Sequence, residues 1–466
     1  MSNTLSKLKE YAIGDKFFYR RVLLIVLPII VQNTITNVVS LLDNVMVGRV
    51  GTLQMSSVAI VNQLLFVFNL CVFGGLSGVG IFATQYAGAK DDEGVRQCFR
   101  IKIVICGALL LIAMLIFGIF PEKLMSLYLA EDTSVADATA TIGYGLDYLK
   151  IMLIGIIPFS ITQVYSGSLR EVGETKLPMY ASVAAIVINL MFNYVLIFGK
   201  LGFPAFGVVG AAIATVLARF AEMSVVVIFT HMKRAKFTFI KSVYRSIYVP
   251  VSLWISVFKK GIPVLVNEFF WSMGMAFYLQ CYSVRGLQIV AAANIASTVS
   301  NLFNVVLISI SSAVAIIVGQ HLGANEIPKA KRAVWRLSVM SFVACMVIGG
   351  VLALIAPFVP HIYNTEAEVM NIATKFMYII ALMMPFSSFT HNSYFTIRAG
   401  GKTFVTFLFD SGFLWFICAP LAYVLANYTT VDIISLYFWV MSLEVVKSVI
   451  GYVLLRKGIW ISNIVK

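Results

Sequence analysis

Charge is what this chain has least of. Asp and Glu together number 21 among 466 residues, and charged residues of both signs make up 12%. A soluble domain carries about 25%. So few charges cannot cover a water-facing surface of this size, and the 60% apolar share points to lipid as the solvent. Histidine occurs four times and cysteine six times. Cys71, Cys98, Cys106, Cys281, Cys345 and Cys418 lie mostly inside apolar runs and form no CxxC pair. They read as small hydrophobes, with no disulfide frame, resident metal or other cofactor indicated. No GxxxxGK[ST] segment is present to cradle the phosphates of ATP, and no HExxH motif occurs. The loops are too short for a soluble catalytic domain. These absences argue against an enzyme.

What is abundant is apolar sequence in runs of bilayer length. Twelve can be drawn, at 20–47, 54–85, 99–120, 139–168, 177–198, 205–231, 254–281, 287–319, 333–359, 367–396, 403–425 and 431–455. About 20 apolar residues span a membrane as a helix. The runs lack the alternation of barrel strands, so an all-α membrane protein with twelve transmembrane helices is expected. The leading MSNTLSKLKEYAIGDKFFYRR is polar and basic, and the run after it is too long for a signal core, so the first span is read as a retained anchor.

The formal charge of +14 does not read as a nucleic-acid footprint, because of where the bases lie. Lys7, Lys9, Lys16, Arg20 and Arg21 precede span 1. Lys90, Arg96, Arg100 and Lys102 fall between spans 2 and 3 or at the start of span 3. A further cluster from Lys233 to Lys260 joins spans 6 and 7. Lys329, Lys331, Arg332 and Arg336 mark the junction of spans 8 and 9, and Arg456, Lys457 and Lys466 follow span 12. The alternate loops are poor in base, with Glu122, Lys123, Glu131 and Asp132 between spans 3 and 4 and Asp432 near the last turn. This asymmetry predicts an inner-membrane, multi-pass protein with both termini cytoplasmic.

The chain also repeats itself. ATQYAGAKDDEGVRQ and GQHLGANEIPKAKR pair Gln85 with Gln320 and Gly88 with Gly323, 235 residues apart; Pro28 and Pro263 share that separation. PFSITQVYSGSLREVGETK and PFSSFTHNSYFTIRAGGKT pair Arg170 with Arg398 and Thr175 with Thr403, now 228 apart. Six helices per repeat is an even number, so the expected fold is two six-helix lobes related by a pseudo-two-fold axis along the membrane normal. The lobes are drawn at 1–231 and 253–466, with a basic cytoplasmic linker at 232–252 lying on the anionic inner leaflet.

Ionisable groups within spans mark functional sites by default. Asp43 follows Pro28 by 15 residues, about 22 Å along a helix, which puts it in the outer half of the membrane. It is either a headgroup-level carboxylate or a protonatable, cation-binding group facing a cavity. Pro28 allows span 1 to bend there. Asn189 and Asn193 share a helix face and are either polar glue or oxygen donors beside Asp43, with the Thr215 hydroxyl a further contributor. In the second lobe Glu268 follows Pro263, Asp410 lies where Arg398 or Lys402 could neutralise it, and His391 could titrate near neutral pH. Arg219 with Glu222, and Glu444 with Lys447, read as structural pairs within one helix. The 35 Phe, 20 Tyr and 19 Met suit helix packing, lipid contact and an adaptable cavity.

LLDNVMVGRVG, the paired QYAGA and QHLGA segments, REVGETK, INLMFNYVLIFG, GVVGAAIATVLAR and GIPVLVNE together resemble the multidrug and toxic-compound extrusion (MATE) family over nearly the full length. The resemblance implies export of small cationic amphipathic compounds by Na⁺ or H⁺ antiport with alternating access, in a monomer surrounded by lipid. It also implies an ion and substrate site at Asp43, Asn189, Asn193 and Thr215, or a cation site at Glu268, with Na⁺ possible at either. Family members often carry aspartate where this chain has Asn193 and, in span 10, Ser387. Two rivals are a lipid-linked saccharide flippase of related architecture, which calls for a more cationic cavity, and a membrane-embedded enzyme, which calls for a convergent catalytic cluster.

Overall fold

The computed structural model describes residues 14–128, 134–363 and 365–466. Lys7, Lys9, Glu131 and Asp132 lie outside the described residues. Among the described residues all regular structure is helical, and twelve helices are long and apolar enough to cross a membrane. They are α1 (Lys16–Gly48), α2 (Thr52–Ala89), α3 (Asp92–Ile119), α4 (Val135–Glu171), α5 (Lys176–Phe198), α6 (Gly207–Met232), α7 (Val251–Ser283), α8 (Leu287–Gly323), α9 (Ile327–Ile355), α10 (Ala367–Ala399), α11 (Thr403–Tyr428) and α12 (Ile433–Arg456). Each matches one span read from the sequence. Polar caps set several starts: Asp91 accepts from the Gly94 amide, Ser134 from Asp137, and Asp432 from Ile434 and Ser435.

Many large apolar side chains, among them Leu111, Leu354 and Phe416, face outward. A soluble protein would hide them; a chain whose solvent is lipid need not. Four helices carry an internal proline: Pro28 in α1, Pro158 in α4, Pro263 in α7 and Pro385 in α10. Each removes one hydrogen bond from its ladder, and the four fall at repeat-related positions. α11 departs from regular α geometry, with π-helical turns at Leu408–Gly412 and Leu414–Cys418.

The chain forms two compact units. One, here the N-unit, comprises Val31–Ala83 and Asp91–Ile255. The other, the C-unit, comprises the residues up to Ile30, Thr84–Lys90 and Ser256–Lys466. α1 therefore passes from one unit to the other two residues after Pro28.

In the C-unit, Val22, Ile25, Val26 and Ile29 of α1 are buried against α8, α9 and α10. A second core joins α8, α9, α10 and α12 around Phe376, whose ring stacks on Tyr437 at 4.0 Å. The repeated motifs meet here. A Cβ at Gly88 would collide with the backbone of Gln320, and one at Gly323 with the backbone of Gln85. Because 85 and 320, like 88 and 323, are 235 apart, this is one contact made twice with roles exchanged. Gln85 also holds the C-terminal tail: its amide donates to the carbonyls of Ala399 (2.8 Å) and Ser462 (3.1 Å), and its Oε1 accepts from the Ile464 amide (2.9 Å).

In the N-unit, α3, α4, α5 and α6 pack with the linker. Lys102, one of the bases counted at the start of span 3, is buried: its ammonium meets Glu171 and donates to Ser168 Oγ at 3.1 Å. Arg96 and Arg100 donate to linker carbonyls instead of facing water.

Candidate functional site

The N-unit brings together four of the residues singled out in the sequence. Asn193 Nδ2 donates to Asp43 Oδ1 at 2.6 Å and to Asn189 Oδ1 at 3.0 Å; Asn189 Nδ2 lies 3.4 Å from Thr215 Oγ1. The four-residue spacing puts both amides on one face of α5, and α1 and α6 supply the other partners. Asn193 is almost fully buried, yet its Oδ1 has no hydrogen-bond partner. A buried acceptor left unpaired is costly, and among the described residues this oxygen is the one buried group of the cluster left without a donor. Among the described residues no basic group lies within ion-pair distance of Asp43. Asp43, Asn189 and Thr215 border a cavity of about 160 Å³, together with Ser182, Arg219 and Glu222.

A second chain of polar groups reaches the same cavity. Arg170 Nη2 donates to Gln32 Oε1 (2.7 Å), Gln32 Nε2 to Ser182 Oγ (2.7 Å), and Ser182 Oγ to Glu222 Oε1 (2.6 Å). Every donor points toward the carboxylate. This replaces the expected Arg219–Glu222 pair: Arg219 instead donates to the Gly155 carbonyl at 3.4 Å and lies over the Phe159 ring.

The C-unit holds the counterpart. Asn267 Nδ2 donates to Asp410 Oδ2 at 3.1 Å, and Lys447 Nζ to Asp410 Oδ1 at 2.6 Å. Asp410 thus pairs with Lys447, not with Arg398 or Lys402, and Lys447 is not spent on Glu444, whose Oε2 is buried without a hydrogen-bond partner. The π-turn at Leu408–Gly412 carries Asp410 and Ser411, whose hydroxyl bonds Asn267. Glu268 accepts from the Tyr394 hydroxyl at 3.3 Å and sits 4.0 Å from Arg398 Nη1. Among the described residues no hydrogen bond joins His391 to this network; its Nδ1 donates to the Ser387 carbonyl one turn back.

Gln32, Ser182, Asn267, Tyr394 and the role of Lys447 were not singled out in the sequence. The repeat held the signal. Gln32 and Asn267 are 235 apart, Ser182 and Asp410 are 228 apart, and Arg170 and Arg398 are 228 apart. The two units carry equivalent buried networks with the charges rearranged. The N-unit chain ends on an acid, Glu222, and the C-unit chain on a base, Lys447. Among the described residues no three His, Cys, Asp or Glu side chains converge as a metal site.

The model of the MatE family matches residues 28–195 and 263–428. The chain belongs to this family. The two matched stretches begin at Pro28 and Pro263, so MATE architecture repeats where the prolines do. The NorM protein of Thermotoga maritima, a probable multidrug resistance protein, is 23% identical over 444 residues, covering 93% of this chain and 91% of its own. The YoeA protein of Bacillus subtilis, with the same description, is 24% identical over 424 residues, covering 90% and 89%. A crystal structure of MATE in the bent conformation superposes with a TM-score of 0.84 at 18% identity, over 96% of both chains. The chain is therefore a multi-pass membrane transporter with the two-lobed, twelve-helix MATE fold, and the family assignment sets aside the enzyme reading.

Proposed function

We propose that this MATE transporter exports small cationic amphipathic compounds in exchange for inward Na⁺ or H⁺, and that the coupling ion acts at Asp43. The observation that carries the reading is the contrast between the acids of the two units. Among the described residues Asp43 has one hydrogen-bond partner, the Asn193 amide, and beside it the Asn193 Oδ1 is buried and unpaired. Asp410 is matched by Lys447, and Glu268 faces Arg398. A hard cation needs several oxygen ligands, and a proton needs a carboxylate that gains little from staying charged; Asp43 suits both.

The cavity of about 160 Å³ holds an ion with a few waters. It is smaller than the roughly 300–1,000 Å³ of a drug-sized site, so cargo binds in a more open state. Ion and cargo then compete for one negative charge. Neutralising Asp43 removes the attraction for a cationic cargo and favours its release outside. Arg219 in the cavity wall is engaged with Gly155 and Phe159, and Glu222 balances it. The cavity is therefore net acidic, which favours a cationic compound over the phosphate of a lipid-linked saccharide.

The test is drug resistance in cells expressing Asp43→Asn or Glu268→Gln at matched protein levels. The expected result is loss of resistance for Asp43→Asn and retention for Glu268→Gln. Unchanged efflux by Asp43→Asn defeats the reading; loss with Glu268→Gln alone moves the coupling site to the C-unit.

A further inference from the structure

Away from the cavity beside Asp43, the N-unit carries two further recesses. An apolar groove of about 560 Å³ opens among α3, α4 and α6, with Leu110, Val164 and Val227 in its walls. Gly107 lines it too, and a Cβ built there meets nothing within 4 Å. At one end the hydroxyls of Tyr165 and Tyr244 hydrogen-bond each other, and Tyr165 also bonds His231 Nε2 at 3.0 Å. The His231 ring stacks on Tyr244. His231 and Tyr244 then border a recess of about 660 Å³ in the linker, whose other walls include Arg234, Lys241 and Arg245.

The linker is held firmly enough to present these groups. Arg100 donates to the Val243 carbonyl at 3.1 Å and the Tyr248 carbonyl at 3.2 Å, Arg96 donates to Phe239 O at 3.3 Å, and Phe239 is buried against Phe99. Those two arginines are committed to backbone carbonyls and to Glu93. Arg234, Lys241 and Arg245 are exposed and form no ion pair among the described residues. The linker also turns apolar side chains outward: Ile247, Tyr248 and Val251 are each at least 70% exposed. A basic surface studded with exposed apolar groups sits at a membrane interface rather than in water.

We propose that the two recesses form one binding site for an anionic phospholipid. The phosphate lies over Arg234, Lys241 and Arg245, the glycerol region meets the polar knot of Tyr165, His231 and Tyr244, and an acyl chain fills the groove beside Gly107. The inference rests on the orientation read above, which puts the basic linker at the anionic cytoplasmic leaflet. A free anion leaves the groove unused. A protein partner does not reach a groove open to hydrocarbon.

The experiment is native mass spectrometry of the full-length protein in mild detergent, offered phosphatidylglycerol or phosphatidylcholine. One phosphatidylglycerol is expected to stay bound in preference to phosphatidylcholine. Each basic group near a membrane surface is worth roughly fivefold in affinity, so the combined Arg234→Gln, Lys241→Gln, Arg245→Gln variant should lose on the order of a hundredfold. Gly107→Leu, which extends into open space, should weaken retention without touching a charge. A matched control, Lys329→Gln with Lys331→Gln and Lys457→Gln, should leave it unchanged. Equal retention of both lipids, full retention by the triple variant or by Gly107→Leu, loss in the control, or displacement of the lipid by millimolar inorganic phosphate would each overturn the assignment.

Discussion

Asp43 and Asn193 show how much a single atom type decides. The amide at position 193 gives its nitrogen to Asp43 and leaves its own oxygen unpaired. An aspartate in the same place has no N–H to give, and two carboxylates at that separation cannot both stay charged. Asn193→Asp is therefore expected to retain a proton or cation between the pair and to steepen the dependence of transport on pH or Na⁺. Efflux assays across a pH and Na⁺ series check this; a flat response in both refutes it. Lys447 makes the opposite case. It is buried, and among the described residues its partner Asp410 has only Asn267 as a further hydrogen-bond donor. Removing one member of a buried pair strands the other at about 3–5 kcal/mol. Lys447→Met should lower thermal stability by that order, and adding Asp410→Asn should restore much of it. A thermal-shift assay in detergent measures both; a double variant no better than the single one contradicts the pairing.

At the scale of helices, the crossing of α2 and α8 is the feature with least tolerance. Gly88 and Gly323 face backbone rather than flexible side chains, so an added methyl cannot be absorbed by a rotamer change. Overpacking costs about 1–3 kcal/mol even where side chains yield. Gly88→Ala and Gly323→Ala should each lower stability by at least that much, equally for the two because the contacts are equivalent. Gly350→Ala, where a Cβ meets open space, should be neutral or stabilising. Melting temperatures of the three variants decide the matter. The twelve helices themselves were legible in the sequence because continuous apolar runs of bilayer length admit few other structures. The π-turns of α11 were not: nothing in FLFDSGFLW breaks helical composition, and only the structure shows that the first of them carries Asp410 and Ser411, both bonded to Asn267.

For the whole molecule, ion-driven export predicts a vectorial signature. Everted vesicles should accumulate a fluorescent monovalent cation when a pH or Na⁺ gradient is imposed and lose that uptake when the gradient is collapsed. Uptake that only equilibrates would mark a channel instead. Composition, run length and the doubled motifs were enough to set the solvent, the helix count and the family, because burying backbone polar groups in lipid leaves only one economical solution and duplication copies it. The four-residue spacing of Asn189 and Asn193 also placed them on one helix face. The sequence did not reveal which charges neutralise which. Intrahelical spacing suggested Arg219 with Glu222 and Glu444 with Lys447, whereas the folded chain sends Glu222 to Ser182 and Lys447 to Asp410. A spacing of three limits a charged side chain to a neighbour it can reach along its own helix. Only the packing of several helices determines which partner from another helix lies closer, and so which acid is left without a cation.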